Sequence, residues 1–205
     1  LLHPFSFFNE VHRTIYVNNN GALSFKNPVT TFTPDSFPLA DHCMICPYWG
    51  DVDNECGGNI TYRQSTEKEI LNLLDRDINS LFENLNFKAD WCFIATWYKV
   101  AYHGTESDKR NTFQTVLAAD GPKSFVMFNY DDINWTTGTA SGGDSKTGLG
   151  GTPAQAGFNT GKEYFNMPMS RTEHIINIKT TSNCGIPGRW IFRVDEFRVP
   201  GGCIH

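Results

Sequence analysis

The sequence predicts a mainly β, α+β fold: an antiparallel, sandwich-like single domain over residues 1–205, with one main amphipathic helix and a long glycine-rich loop. Three observations predict it. Short apolar runs alternate with Asn-Gly and Asp-Gly-Pro turns, as hairpin-linked strands do. Only residues 67–84 hold a sustained helical period. No internal repeat and no shift in composition marks a second domain.

Taken in order, Ile15 and Val17 precede Asn18-Asn-Asn-Gly21, and Leu23 and Phe25 follow it, which predicts an Asn-Gly hairpin. Residues 27–47 carry Pro28, Pro34, Pro38 and Pro47 with little periodicity, the composition of a rigid, irregular connector laid over a sheet. Ile60 and Tyr62 alternate in a short strand over residues 58–63. Thr66 and Glu69 have capping-box spacing, each able to reach a free backbone N–H. Ile70, Leu74, Ile78, Leu81, Phe82 and Leu85 then recur at helical spacing, so the helix is expected over residues 67–84.

Residues 90–102 are aromatic and β-branched on both faces, which suits a central strand buried on two sides and places the helix across that sheet. Phe113, Val116 and Leu117, then Asp120-Gly-Pro122, then residues 124–130 read as a second hairpin. Residues 136–161 hold eight glycines in 26 positions, broken only by the run from Ala154 to Phe158, and form either an ordered functional loop or a linker. Two last strands are expected at 173–179 and 189–198, the second alternating Trp190, Phe192 and Val194 against Arg189, Arg193 and Asp195, one dry face and one wet.

Composition excludes some functions. Net charge is −5, and Lys109-Arg110 is the longest basic cluster, so no phosphate-tracking nucleic-acid surface is expected. No apolar run approaches the ~20 residues of a membrane span. The chain begins at Leu1 without a charged-then-apolar leader and reads as a processed or excerpted piece. Six cysteines (Cys43, Cys46, Cys56, Cys92, Cys184, Cys203) and two sequons, at Asn59 and Asn134, together suggest a secreted, extracellular, oxidised glycoprotein. Three disulfides are the plain expectation, with fifteen pairings open.

The residues then form a familiar series. Phe37-Pro-Leu39, Pro47-Tyr-Trp-Gly-Asp-Val-Asp53, Ile60-Thr-Tyr-Arg63, Asn111-Thr-Phe-Gln-Thr-Val-Leu117, Phe128-Asn-Tyr130, Ile133-Asn-Trp-Thr-Thr-Gly138, Ala154-Gln-Ala-Gly-Phe-Asn159 and Pro187-Gly-Arg-Trp190 with Arg193-Val-Asp195 resemble the NIDO module of nidogen, alpha-tectorin and some membrane mucins. Tyr16-Val-Asn-Asn-Asn-Gly21 and Asn134-Trp-Thr-Thr-Gly-Thr-Ala-Ser-Gly-Gly-Asp144 look most like its alpha-tectorin-like form. The resemblance covers essentially the whole chain. It implies a non-enzymatic module of matrix or mucosa acting in cell–matrix adhesion, with extracellular matrix or mucosal protein partners, self-association and no catalytic residues. It also implies an N-terminal piece of a longer filament-forming chain. Cys43, Cys46, Cys56, Cys92 and Cys184 depart from the pattern and suggest a free-standing chain, the alternative being a secreted carrier of a small molecule or glycan.

Candidate sites remain few. Cys43 and Cys46 have the gap of a zinc knuckle or a thiol–disulfide centre, but further soft ligands (His103, His174, Cys56, Cys184) can be added only by guesswork. Asp51 and Asp53, with Asn54 and Glu55, alternate like part of a calcium loop; Cys56 and Tyr62 occupy its sixth and twelfth positions, so turn capping competes, and calcium is the one cofactor considered. Trp135, Thr136, Gly138, Ser141 and Asp144 form a candidate ligand or partner loop, against the alternative of an Ω loop packed on its own sheet. Ser141, His103 and Asp144 could be drawn as a triad, but nothing around Ser141 resembles a nucleophile elbow.

Overall fold

The structure, a computed structural model, describes residues 1–197. In chain order its elements are β1 (Phe5–Phe7), β2 (Glu10–His12), β3 (Tyr16–Asn18), β4 (Ala22–Ser24), β5 (Met44–Trp49), β6 (Val52–Asp53), β7 (Asn59–Ser65), α1 (Lys68–Asn79), β8 (Trp91–Tyr102), β9 (Asn111–Asp120), β10 (Lys123–Ile133), β11 (Gln155–Asn159), β12 (Tyr164–Asn166) and β13 (Arg189–Arg193), with 3-10 turns at Thr139–Ser141 and Glu173–Thr180. One sheet runs β13-β10-β9-β8-β6, with β7 also on β8; the other runs β12-β11-β5-β4-β3; β1 and β2 pair alone. Every pairing is antiparallel. The fold is mainly β, as expected.

Alternation along β8 explains the layering. Trp91, Phe93, Ala95 and Trp97 enter the core between the sheets, where they meet Leu23, Ile45, Tyr48 and Phe158 from the second sheet. Cys92 points the other way, into a cluster with Val116, Ala118, Phe125, Met127 and Ile191 that Leu71, Leu74 and Ile78 of α1 cover. Burying those three helical side chains contributes roughly 1.5–3 kcal/mol each, so α1 is held by the sheet more than by its own twelve residues. On the outer face of the second sheet, Val29, Phe37 and Leu39 of the proline-rich connector pack on Ala22, Met44, Cys46 and Trp49.

The structure corrects four expectations. The helix ends at Asn79 and has no side-chain cap at its start, because the Ser65 hydroxyl, and not the Thr66–Glu69 box, takes the Glu67 N–H. Asn79 then bonds both N–H and C=O of Phe87 at 2.8 Å, and the backbone turns at Asn84 and Asn86 with positive φ. Leu81, Phe82 and Leu85 still pack on the helix-side cluster, which accounts for their spacing outside the helix. The connector stops at Cys43, and β5 runs through Pro47 by a bulge, Pro47 and Tyr48 together opposing Ala156 between the pairs Cys46–Gly157 and Trp49–Gln155. That extra residue is why Met44 and Cys46 face outward while Tyr48 faces the core.

Residues 173–179 are not a strand but a 3-10 turn, because Ile175 and Ile178, three apart, bury on one face. Finally, β13 has no fully wet face. Ile191 buries under α1, and Arg189 lies half-buried with a 2.8 Å bond to Asp77 of the helix. The Asn-Gly hairpin, the Asp120-Gly-Pro turn and the β8 strand stand as expected.

Candidate functional site

The candidate loop starts where β10 ends, and Asn111, the first residue of β9, anchors it. Its carboxamide oxygen accepts the N–H groups of Asn134 (2.7 Å) and Trp135 (3.1 Å), and its nitrogen donates to the Trp135 carbonyl (2.9 Å). Tyr48 donates its hydroxyl to the same carbonyl, and the Trp135 indole donates to the Val100 carbonyl. Trp135 is therefore a buried peg, fixed at backbone and ring. Sequence reading missed Asn111; the one clue was a polar residue opening an apolar strand.

Beyond the peg the segment closes on itself. Thr136 and Thr137 donate their N–H groups to the Gly148 carbonyl, Thr139 donates to the His103 carbonyl, and Thr152 donates to the Ser141 carbonyl. The Ser141 and Thr33 hydroxyls lie 2.7 Å apart. Asp144 accepts the N–H groups of Lys146 and Thr147, bonds that hold its carboxyl below the usual carboxylate range. The loop is ordered and packed, an Ω loop in form. Of its five singled-out residues, Trp135, Thr136 and Gly138 are buried, Ser141 is half-buried and Asp144 is exposed. The loop's accessible surface is its rim, residues 139–151 apart from the buried Gly148.

Gly138 seats the loop on Asp51, where a Cβ would stand 2.9 Å from the carboxylate Oδ2. Asp51 is 7% exposed, and that Oδ2 has no hydrogen-bond partner. Burial raises its pKa, opposed by His103. Asp53 differs. Burial would raise its pKa, but the N–H groups of Cys56 and Glu55 and the Cys56 thiol donate to it and bring it down. Among the described residues no three His, Cys, Asp or Glu side chains converge as a metal site. Ser141, His103 and Asp144 do not form a relay, each being engaged elsewhere, His103 with Asp53 at 3.9 Å.

The five described cysteines are unpaired, and Cys203 lies outside the described residues. Cys43 and Cys46 point to opposite faces of the second sheet, one into the core and one under the connector, so their two-residue gap makes neither a knuckle nor a redox pair. Burial pushes the Cys43 thiol up to about 11 and Cys46 well above its usual value. Cys92 and Cys184 touch the same helix-side cluster but stand at opposite ends of it. Cys92 is on β8, while Cys184 donates to the Arg189 carbonyl of β13, with β9 and β10 between.

Comparison with known proteins decides the family. The nidogen-like domain matches residues 13–196. The chain belongs to the nidogen-like (NIDO) domain family. The NIDO chain is 52% identical to alpha-tectorin of Gallus gallus over 197 residues, 94% of this chain and 9% of that protein. Alpha-tectorin of Homo sapiens is 50% identical over 207 residues, 98% of this chain and 10% of that protein, and nidogen of Drosophila melanogaster is 31% identical over 199 residues. The domain thus spans about a tenth of the alpha-tectorins it matches. No solved structure matches. No catalytic family is indicated, and among the described residues no helix is long and apolar enough to cross a membrane.

In this NIDO domain both sequon asparagines are exposed: Asn59 opens β7, and Asn134 lies beside the Trp135 peg, its amide donating to the Arg110 carbonyl. A cleft of about 710 Å³ opens beside β1 and β2, floored by Phe7 and Phe8 and rimmed by Glu10, Lys26, Lys162 and Glu163.

Proposed function

We propose that this chain is a non-enzymatic structural module of a secreted matrix or mucosal protein, acting through protein–protein contacts in adhesion and assembly. The observation that carries the reading is 50–52% identity to alpha-tectorin along nearly the whole chain, alpha-tectorin and nidogen being extracellular matrix proteins. The packed loop fits it, since an ordered surface whose backbone groups are spent on its own shape suits recognition. Sedimentation and surface-binding measurements on the secreted domain test it. Self-association or saturable binding to a matrix or mucosal component is expected; a chain that stays monomeric at high concentration and binds none overturns it.

The cleft over Phe7 and Phe8 favours a second reading, a secreted carrier of a small molecule or glycan. Native mass spectrometry of the secreted chain decides: a released extra mass favours the carrier, and bare glycosylated peaks remove it. Calcium at Asp51 and Asp53 belongs here too, supported by the unpartnered Oδ2 of Asp51. It fails if neither calcium nor a chelator moves the melting temperature.

A further inference from the structure

The two sheets end in strands with very different edges. A bare edge is a row of backbone N–H and C=O groups spaced to pair with another strand, and proteins usually blunt such rows with short strands, bulges, proline or lysine. On the second sheet the edges β3 and β12 have three residues each, and on the first, β6 has two. β13 has five, but Asn183 clamps it, accepting the Ile191 N–H and donating to the Ile191 carbonyl, both at 2.9 Å.

β7 is long and carries little of this protection, its one charged residue being Arg63. It runs seven residues, Asn59–Ser65, with no proline and no lysine, and pairs with β8 from Asn59↔Tyr98 to Ser65↔Cys92 without a register shift. It has no strand on its other side among the described residues. Among the described residues no other segment's backbone bonds to its outer edge; Leu2 reaches only the Gln64 side chain. Its middle residue, Tyr62, is 66% exposed, its ring stacked on Phe93 at 5.9 Å and 18°. Between Tyr62 and the edge strand β3 lies a groove of about 420 Å³, lined also by Ile15, Tyr16, Val17 and Gln64.

We infer that β7 pairs antiparallel with β7 of a second copy of this chain about a two-fold axis at Tyr62, continuing the six-stranded sheet across the dimer. The register itself favours a second copy as occupant. Centred on Tyr62, a seven-residue strand sets Tyr62 opposite Tyr62, Thr61 opposite Arg63, Ile60 opposite Gln64 and Asn59 opposite Ser65, so the whole length is used and no charge directly opposes a like charge. Ile60, Tyr62 and Gln64 share the face that carries Phe93, so the two tyrosines meet on the aromatic side of the joined sheet. Asn59, Thr61 and Arg63 share the opposite face, which places any glycan on Asn59 at the end of the ladder, beside Ser65 of the other copy. The inference rests on the reading that this domain works through protein contacts, and names the surface and the occupant.

The test is sedimentation velocity on the secreted domain, glycans intact, from roughly 10 to 200 µM, a range that covers weak dimers. Tyr62→Lys and Tyr62→Glu are made separately; position 62 is exposed, and unchanged circular dichroism and melting confirm that both fold. The wild type is expected to dimerise, each variant alone to weaken dimerisation at least about tenfold by setting like charges face to face, and an equal mixture of the two to restore it. Hydrogen exchange at residues 60–64 should slow as the wild-type concentration rises. A wild type that stays monomeric overturns the inference, as does a dimer untouched by Tyr62→Lys, or a mixture that fails to recover. Slowed exchange of β7 only on adding a matrix protein also overturns it and assigns the edge to that partner. If dimerisation is absent while wild type and Tyr62→Lys bind a matrix component equally, this inference falls and the proposed function stands; a chain that neither dimerises nor binds such a component overturns both.

Discussion

Replacing Asn111 by Ala should loosen the loop at its root. The carboxamide is fully buried and makes three bonds, to the Asn134 and Trp135 N–H groups and the Trp135 carbonyl. The carbonyl keeps the Tyr48 hydroxyl at 2.8 Å, and Asn134 is exposed enough for water to replace what it loses. That leaves one buried donor, the Trp135 N–H, without a partner at about 1–3 kcal/mol, and the other two bonds at about 0.5–1.5 kcal/mol together, so the loss is about 1.5–4.5 kcal/mol. For a chain of 205 residues this lowers Tm by on the order of 5–15 °C. Urea and thermal unfolding followed by tryptophan fluorescence measure it, with hydrogen exchange over residues 134–137 as the local readout. Asn134→Gln is the control: it perturbs an exposed bond to the Arg110 carbonyl and should cost less than about 1 kcal/mol. If Asn111→Ala costs no more than the control, or if exchange in the loop is unchanged, the peg is not held as described.

Gly21→Ala should be severely destabilising, by more than about 3 kcal/mol, because φ is +79° and a Cβ would run into the Tyr48 carbonyl; a melt within 2 °C of wild type refutes it. His12 gives stability a pH dependence. Burial lowers its pKa from 6.5, so the unfolded chain binds the proton more readily, and stability is lost as pH falls below 6.5 toward the lower folded value. Denaturation at pH 7 and pH 5 should show this loss, and His12→Gln should flatten it. Thiol labelling of the native chain should modify the exposed Cys56 first and leave Cys43, Cys46 and Cys92 unreacted until denaturant is added. An intact mass six hydrogens below the reduced sequence would instead restore the three disulfides expected from the cysteine count.

What could be read from the sequence divides along physical lines. Local chemistry was legible where one residue type has one use. Asn-Gly at 20–21 marked a hairpin because Gly21 supplies the positive φ, and the two apolar faces of β8 marked a strand covered on both sides. Periodicity misled where tertiary packing, not backbone period, had placed the apolar residues. Leu81, Phe82 and Leu85 fit a helical face because they pack in the same cluster as α1, although the backbone has already turned at Asn79. Ile175 and Ile178 bury from a 3-10 turn in a short apolar run that reads as a strand. The site was least legible, because its anchor and its seat come from distant parts of the chain. Asn111 reaches Trp135 across 24 positions, Thr33 reaches Ser141 across 108, and Asp51 meets Gly138 only in the folded chain.

The edges of the sheets show why that matters for function. Alternation identified residues 58–63 as a strand, but whether a strand is an edge depends on the order in which strands pair, and a single sequence does not carry that order. A short β3, a short β12 and a clamped β13 leave β7 as the one long bare edge among the described residues, and its middle residue is an exposed tyrosine. An unprotected edge is an aggregation hazard unless it is used. A domain that keeps one at its surface, with an exposed tyrosine at its centre, therefore directs the search for its contacts to β7 before the glycine-rich loop, whose hydrogen-bonding groups are largely spent on holding its own shape.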